Sequence, residues 1–338
     1  MELYLDSADI NEIKEAFELG FLTGLTTTPT FMHRHGITDI DGTILELAKI
    51  VPVLQIEALG ETADEIVAEA ERQDALGLDR SKTVYKIPIS VEGVKACRRL
   101  VDMGYMVNIH LVYTLQQAYM AMSAGASYVC PLVGRLQDQG HDALGLVQQC
   151  VEAVNYYGYD TRIMFSSVRN VEHVKNALNV GVHTVTVPWK IMKKLTENHF
   201  TQIGTDEFFE HTRLMTESVK DVIGANNPVV TSDKSIADAL VVMTQGGFGA
   251  VTIVDGAQRP IGMFTDGDLR RLISKDGGNV IDKALTDLPM KQPISVEGME
   301  LLYTAEALLR EKEVDTLVVT EDGKAIGMVD VQDLIKKS

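Results

Sequence analysis

The sequence predicts an α/β protein: a (β/α)8 barrel followed by a smaller α+β module built as a tandem repeat. Three observations carry that expectation. Eight short apolar runs, each fit for one strand, alternate with helix-like stretches up to about residue 195. The runs are nearly continuous in apolar residues rather than alternating, the pattern of parallel strands covered on both faces. Further on, a signature recurs: GMFTDGDLRRLI begins at Gly262 and GMVDVQDLIKKS at Gly327, 65 residues later, which marks two copies of one unit.

In chain order the runs are LYLD (3–6), LTGLTT (22–27), VLQIEAL (53–59), VYKIPI (84–89), MVNIHLVY (106–113), YVCPLV (128–133), IMFSS (163–167) and TVTVP (184–188). Segments such as ETADEIVAEAERQDALG (61–77) and DALGLVQQCVEAVNYYG (142–158) separate them, with apolar residues at helical spacing. A doubly wound open sheet is the competing arrangement, but no G-x-G-x-x-G fingerprint follows any strand. A helix over about 205–223 is expected to end the barrel unit. GANNP (224–228) then has the turn chemistry of a linker, which sets domains at 1–223 and 224–338. In the second domain each signature follows an apolar strand pair with a turn (AVTIVDGAQRPIG, TLVVTEDGKAIG) and, before that, an amphipathic helix (SIADALVVMTQGG, LLYTAEALLREKEV). The copies span about 226–282 and 287–338.

The 338 residues are 45% hydrophobic and 23% charged, an ordinary globular balance. The formal net charge of −17 weighs against nucleic acid or an anionic membrane as partner, while a locally basic site can still take an anionic small ligand. The apolar runs fall far short of the roughly 20 residues that cross a bilayer. MELYLDSADI has neither a basic n-region nor an apolar h-region, so the cytoplasm is the expected location. Cys97, Cys130 and Cys150 fit no zinc or redox spacing, and an odd number argues against a disulfide framework.

TVYKIPIS (83–90) sets Lys86 in the middle of an apolar strand. A lysine is almost never fully buried unless paired, and an unpaired buried ammonium loses its proton. Lys86 shares parity with Val84 and Pro88. Facing inward, the amine enters a low-dielectric pocket near the C-terminal strand ends, where barrel enzymes place their catalysts. Desolvation then frees it as a nucleophile towards a carbonyl. Facing outward, its stem simply carries the charge to solvent.

Five segments share one pattern: MELYLDSAD, with Asp6 on the first strand; GLTTTPT on the second; YKIPISVEG around Lys86; and GRLQDQG and FSSVRN late in the barrel. By them this part of the chain resembles the transaldolase family, most closely its short branch, which includes fructose-6-phosphate aldolase. The resemblance implies class I aldol chemistry on a phosphosugar. Lys86 would form an imine with a ketose phosphate and Asp6 would assist proton transfers. Gln55 would belong to a set that holds a catalytic water. Arg135, Ser167 and Arg169 would hold the phosphate, and Thr26 and Thr28 would line the pocket. No cofactor or metal is implied, since the imine takes the place of a Lewis acid. A homo-oligomer is implied, assembled through a helix like 205–223. Three positions depart from the pattern. Thr28 stands where asparagine is usual, and Leu132 where the aldolase branch has its tyrosine acid/base. His110 stands where a small hydroxyl residue helps hold water. On the strand beside that of Lys86 and of inward parity, His110 is the candidate for the missing proton transfer. Glu57, two residues after Gln55 and of the same parity, stands behind it. Each has a plainer alternative: Asp6 as the cap of the helix in SADINEI, Arg169 as a surface arginine, His110 as a structural histidine.

The repeat resembles a tandem pair of CBS domains, whose nucleotide signature G-h-x-[ST]-x-x-D is intact in the first copy at Gly262, Thr265 and Asp268. The resemblance implies that Asp268 takes ribose hydroxyls while Thr265 and backbone amides reach a phosphate. The second copy keeps Asp333 but has Asp330 where Ser or Thr belongs, a carboxylate that repels phosphate. One competent cleft for an adenine or other nucleotide effector is expected; a purely structural dimerisation module is the alternative. FTDGDLRR and VDVQDLIKK look especially like the CBS pairs of sugar-phosphate isomerases. Two readings of the whole chain follow: a Schiff-base aldolase or transaldolase with a sensing or assembly tail, or a catalytically silent barrel serving as scaffold for a ligand sensor.

Overall fold

The computed structural model describes residues 1–277 and 280–335. It divides into two compact units, the first Met1–Glu197 and the second from Asn198 onward. In the first, eight parallel strands close into a barrel in sequence order. They are β1 (Glu2–Asp6), β2 (Gly24–Thr26), β3 (Leu54–Glu57), β4 (Thr83–Pro88), β5 (Met106–Val112), β6 (Tyr128–Pro131), β7 (Arg162–Phe165) and β8 (Thr184–Val187). Pairing of β1 with β8 completes the closure. This is the (β/α)8 arrangement expected, and it excludes the open sheet.

The strands obey a period of two because their sides pack against different things. Tyr85, Ile87, Val107, Ile109 and Val185 belong to the large core shared with the surrounding helices. Tyr4, Val84, Tyr128, Cys130, Leu132 and Met164 form a separate cluster inside the barrel. The helices are set by caps and spacing. Thr62 and Glu65 form a capping box at the start of Ala63–Asp74, which buries Ala63, Ile66 and Ala70 at helical intervals. Asp142 starts Ala143–Tyr157, and Gly158, left-handed at φ 68°, ends it.

The second unit holds two three-stranded sheets: β9 (Val229–Thr231), β10 (Ala250–Val254) and β11 (Pro260–Thr265) in one; β12 (Ser295–Glu297), β13 (Thr316–Glu321) and β14 (Lys324–Asp330) in the other. Each copy combines one parallel and one antiparallel pairing and places a helix between its first two strands. The second signature ends at 336–338, outside the described residues.

One boundary differs from the sequence reading, which keeps the helix near 205–223 with the barrel. That helix runs His199–Thr216, capped by Asn198, and falls in the second unit. Arg213 donates to the backbone carbonyls of Leu334 and Asp333 at 2.7 and 3.0 Å. Leu214 and Val219 share a core with Leu302, Leu317 and Val329. Its apolar stripe shows that the helix must pack, but not against which neighbour. No described helix is long and apolar enough to cross a membrane.

Gly24 shows how tightly the barrel is drawn. A Cβ there would lie 2.4 Å from the Val53 carbonyl oxygen and 2.6 Å from the Tyr4 ring. Gly24→Ala is expected to destabilise the barrel by about 1–3 kcal/mol through overpacking. Urea unfolding followed by fluorescence of Trp189, the one tryptophan, checks this; an unchanged midpoint refutes it.

Candidate active site

The inward side chains at the C-terminal strand ends meet in a cavity of about 410 Å³. Lys86 arrives there because β4 alternates Val84 and Lys86 inward with Tyr85 and Ile87 outward. The amine is 6% exposed and is not alone. Its Nζ donates to the Thr27 carbonyl at 3.0 Å and lies 2.9 Å from Glu57 Oε1. Glu57, 5% exposed, reaches His110 with its other oxygen, 2.9 Å from Nε2. That contact is close but not a straight hydrogen bond. One carboxylate therefore bridges Lys86 and His110, and the unpaired amine expected from the sequence is a paired one. Strand register brings the pair together: across β3–β4 Glu57 stands opposite Lys86.

Asp6 ends β1 and accepts from Thr26 Oγ1 at 3.0 Å; Thr26 also bonds the Thr186 hydroxyl. The cap of the following helix is Asp9, not Asp6, so the plainer reading of Asp6 falls. Burial raises the Asp6 carboxyl above the usual carboxylate range, against the pull of Lys86 and Thr26. Glu57 moves the other way: burial pushes it up, but Lys86 and His110 together hold it below its ordinary value. Burial lowers His110 despite Glu57, which keeps the imidazole neutral near pH 7. Cys130 lines the cavity too, but burial pushes its thiol to about 11, so it is no nucleophile there.

The other expected residues divide. Thr26, Thr28 and Leu132 line the cavity. Thr28 also caps the helix Pro29–Arg34, a service asparagine performs equally well. Gln55 lies deeper, fully buried, accepting from Asn108 Nδ2 at 2.7 Å, and does not line the cavity. Arg135 and Ser167 line it, and with Arg169 they border an adjoining lobe of about 480 Å³. Ser167 has a left-handed φ of 58°, a conformation that costs a non-glycine residue energy and concentrates at functional sites. Gly134 permits the approach: a Cβ there would lie 2.1 Å from the Ser167 carbonyl oxygen. Arg169 is partly spent on Asp138, at 2.8 Å. Sequence reasoning passed over Arg34, which borders both lobes; its signal was the basic run His33–Arg34–His35 just after β2.

In the second unit both signatures open on one cavity of about 920 Å³, lined by Thr265, Asp268, Arg271, Lys291 and Asp330 among others. Thr265 and Asp268 form a capping box for the helix Asp266–Asp276. Asp268 also holds Arg271 and, at 3.3 Å, Lys291. Asp330 and Asp333 form the matching box in the second copy. Gly262 and Asp333 do not line the cavity. A Cβ at Gly262 would meet Met290 at 2.8 Å, so that glycine serves packing.

The Transaldolase/Fructose-6-phosphate aldolase family profile matches residues 3–238, and the CBS domain profile matches 219–275 and 285–338. A probable transaldolase of Shouchella clausii is 36% identical over 209 residues, covering 62% of this chain and 95% of that protein. A probable transaldolase of Desulforudis audaxviator is 37% identical over 212 residues, covering 62% and 96%. Among solved structures, a CBS domain protein from Pyrobaculum aerophilum complexed with AMP is 14% identical with a TM-score of 0.33, covering 36% of this chain and 92% of that one. The barrel, the lysine inside it, the extent of the two family profiles and the transaldolase relatives lead to one conclusion: the chain belongs to the transaldolase/fructose-6-phosphate aldolase family and carries a pair of CBS domains in its C-terminal third.

Proposed function

We propose that the barrel is a class I aldolase or transaldolase for a phosphosugar, with Lys86 as the imine-forming nucleophile. The observation that carries this is the bridge Lys86–Glu57–His110 at the cavity floor, with Asp6 beside it. The Lys86 ammonium hands a proton to a neighbouring base and attacks the ketose carbonyl as the neutral amine; the same proton then returns to the carbinolamine oxygen, which leaves as water to give the iminium. The electron pair of the breaking C–C bond moves into the iminium, which becomes a neutral enamine. The proton of the β-hydroxyl passes to His110 as that hydroxyl becomes a carbonyl. Glu57 is a neighbour to the positive charge in both states, first the iminium nitrogen and then the imidazolium. Asp6, its carboxyl raised by burial, exchanges protons near the same carbon. Arg135, Ser167 and Arg169 supply guanidinium forks and a hydroxyl suited to phosphate oxygens. The silent-scaffold reading draws on Leu132 and on the retreat of Gln55, but it gives no account of a buried, paired lysine at the floor of a basic cleft.

Borohydride with a ketose phosphate should trap a covalent adduct on the wild-type chain and none on Lys86→Met. Trapping that persists on the variant sinks the assignment.

His110 sets the pH dependence. A base must be unprotonated to act, and burial lowers its pKa from about 6.5. Activity should therefore hold at neutral pH and fall only below about 6.5, as the imidazole takes a proton. His110→Thr should slow turnover by roughly 10²–10⁴ and erase that acid limb, while leaving trapping intact. His110→Thr with Leu132→Tyr should recover part of the rate. An unaltered rate in His110→Thr makes the histidine structural.

For the second unit we propose an effector site for a nucleotide in the cleft that holds Thr265, Asp268, Arg271 and Lys291. Calorimetry with adenosine nucleotides should show binding that Asp268→Asn weakens at least about tenfold, the scale of a lost charge-assisted bond. No heat with any nucleotide leaves assembly as the role of the pair.

A further inference from the structure

The barrel unit contains eight arginines. Six of them, Arg72, Arg80, Arg98, Arg99, Arg162 and Arg169, are ion-paired with carboxylates. The two with no carboxylate partner among the described residues, Arg34 and Arg135, border the same cleft. Both line the lobe around Lys86 and both line the adjoining lobe. In a chain of net charge −17, carboxylates are plentiful, and a guanidinium left without one is available to an anion from outside. The two also stand on different walls. Arg34 ends the helix after β2 and Arg135 lies on the helix after β6. In an eight-stranded barrel closed in sequence order these strands are diametrically opposed, with Lys86 on β4 between them.

We propose that the substrate carries two anionic groups, one at each end of the sugar chain, and that Arg34 binds the second. This rests on the imine reading only in taking Lys86 as the group that meets the carbonyl between them. The phosphate already assigned goes to Arg135, Ser167 and Arg169. The other end, a phosphate or a carboxylate, goes to Arg34. His35 is next to it but already faces Asp9 at 3.8 Å, so Arg34 is the donor that matters. A plain ketose monophosphate leaves Arg34 unused.

The test uses the full chain at fixed ionic strength. Binding is read from Trp189, which lines the outer lobe, and imine formation from borohydride trapping. The probes are fructose 6-phosphate, fructose 1,6-bisphosphate and 2-oxo-3-deoxy-6-phosphogluconate, with hexitol 6-phosphate and hexitol 1,6-bisphosphate as pairs that lack a carbonyl. At least one doubly anionic probe should bind roughly tenfold or more tightly than its monophosphate, the scale of one charge-assisted contact. Arg34→Gln should abolish that advantage and leave fructose 6-phosphate within about twofold, which also shows the variant folded. Arg34→Lys should keep part of it, and Arg135→Gln should weaken every probe. Preference for the bisphosphate or for the oxo acid names the second anion. If no ketone is trapped yet the hexitol pair still separates through Arg34, the imine reading fails and the second anion site stands. The proposal is overturned if doubly anionic probes bind no more tightly than monophosphates, or if Arg34→Gln leaves all probes unchanged or weakens them all alike.

Discussion

A carboxylate held between an ammonium and an imidazole inside the barrel is the constraint on which the site depends. Glu57 has Lys86 and His110 each at 2.9 Å, and all three side chains are at most 11% exposed. Such a cluster is seldom kept for stability: taking charges out of water costs several kcal/mol per ion, and a packed apolar core does as well. What it fixes is geometry. Take away Glu57 and a buried lysine loses its counter-charge; take away Lys86 and a buried carboxylate loses its own. The position of each group follows from backbone register, with Glu57 opposite Lys86 across β3–β4 and His110 opposite Pro88 across β4–β5. A register irregularity between Ile109 and Val112, with Leu111 left-handed at φ 56°, surrounds His110. Irregularities of this kind re-aim a side chain and recur beside active sites.

The interior is graded along its axis. Toward the N-terminal strand ends it is filled by Tyr4, Val84 and Tyr128, with the Tyr4 and Tyr128 hydroxyls bonded to each other at 3.0 Å. Gln55 and Asn108 form the next layer, joined by one hydrogen bond from Asn108 Nδ2 to Gln55 Oε1, while Gln55 Nε2 and Asn108 Oδ1 find no hydrogen-bond partner among the described residues. Only above them do carboxylates, the amine and the imidazole appear, in the layer that opens on the cavity. This is the division general to such barrels, packing at one end and chemistry at the other. Here it explains why Gln55, which the family pattern assigns to water binding, sits too deep to line the cavity. The carboxylate two residues further along the same strand occupies that level instead.

Much of this was legible in the sequence because it rests on periodicity. Eight apolar runs gave eight strands, and parity alone turned Lys86, His110 and Glu57 to one side. What parity cannot rank is distance. His110 and Glu57 both qualified as inward, and only the register of three neighbouring strands shows that they touch and share one charge. The ambiguity at Asp6 had the same origin: DSADINEI (6–13) contains two aspartates able to cap a helix, and the structure uses Asp9. The helix His199–Thr216 was visible as an element, but its allegiance was not. An amphipathic stripe records that a face is buried, and the carbonyls that receive Arg213 lie more than a hundred residues further along the chain. Arg34 was missed because a basic run on a short helix resembles any solvated surface until its want of a carboxylate partner is seen.

The distribution of charge by depth ties these features to substrate choice. Asp6 and Glu57 lie deep and Glu12 lines the outer lobe, while Arg34 and Arg135, without a carboxylate partner among the described residues, lie at the rim. An anionic ligand entering such a cleft would be repelled at the floor if those acids were bare. They are not: Glu57 is compensated by Lys86, and burial shifts Asp6 toward its neutral form. The floor is therefore nearly neutral while the rim, with Arg34 and Arg135, stays positive inside a protein that is strongly negative overall. Under the proposed function, a molecule with charged ends and an uncharged carbonyl between them would meet this gradient with its ends at the rim and its reactive carbon lowered toward Lys86. That selection needs no contact with the carbon itself and operates before any bond is made.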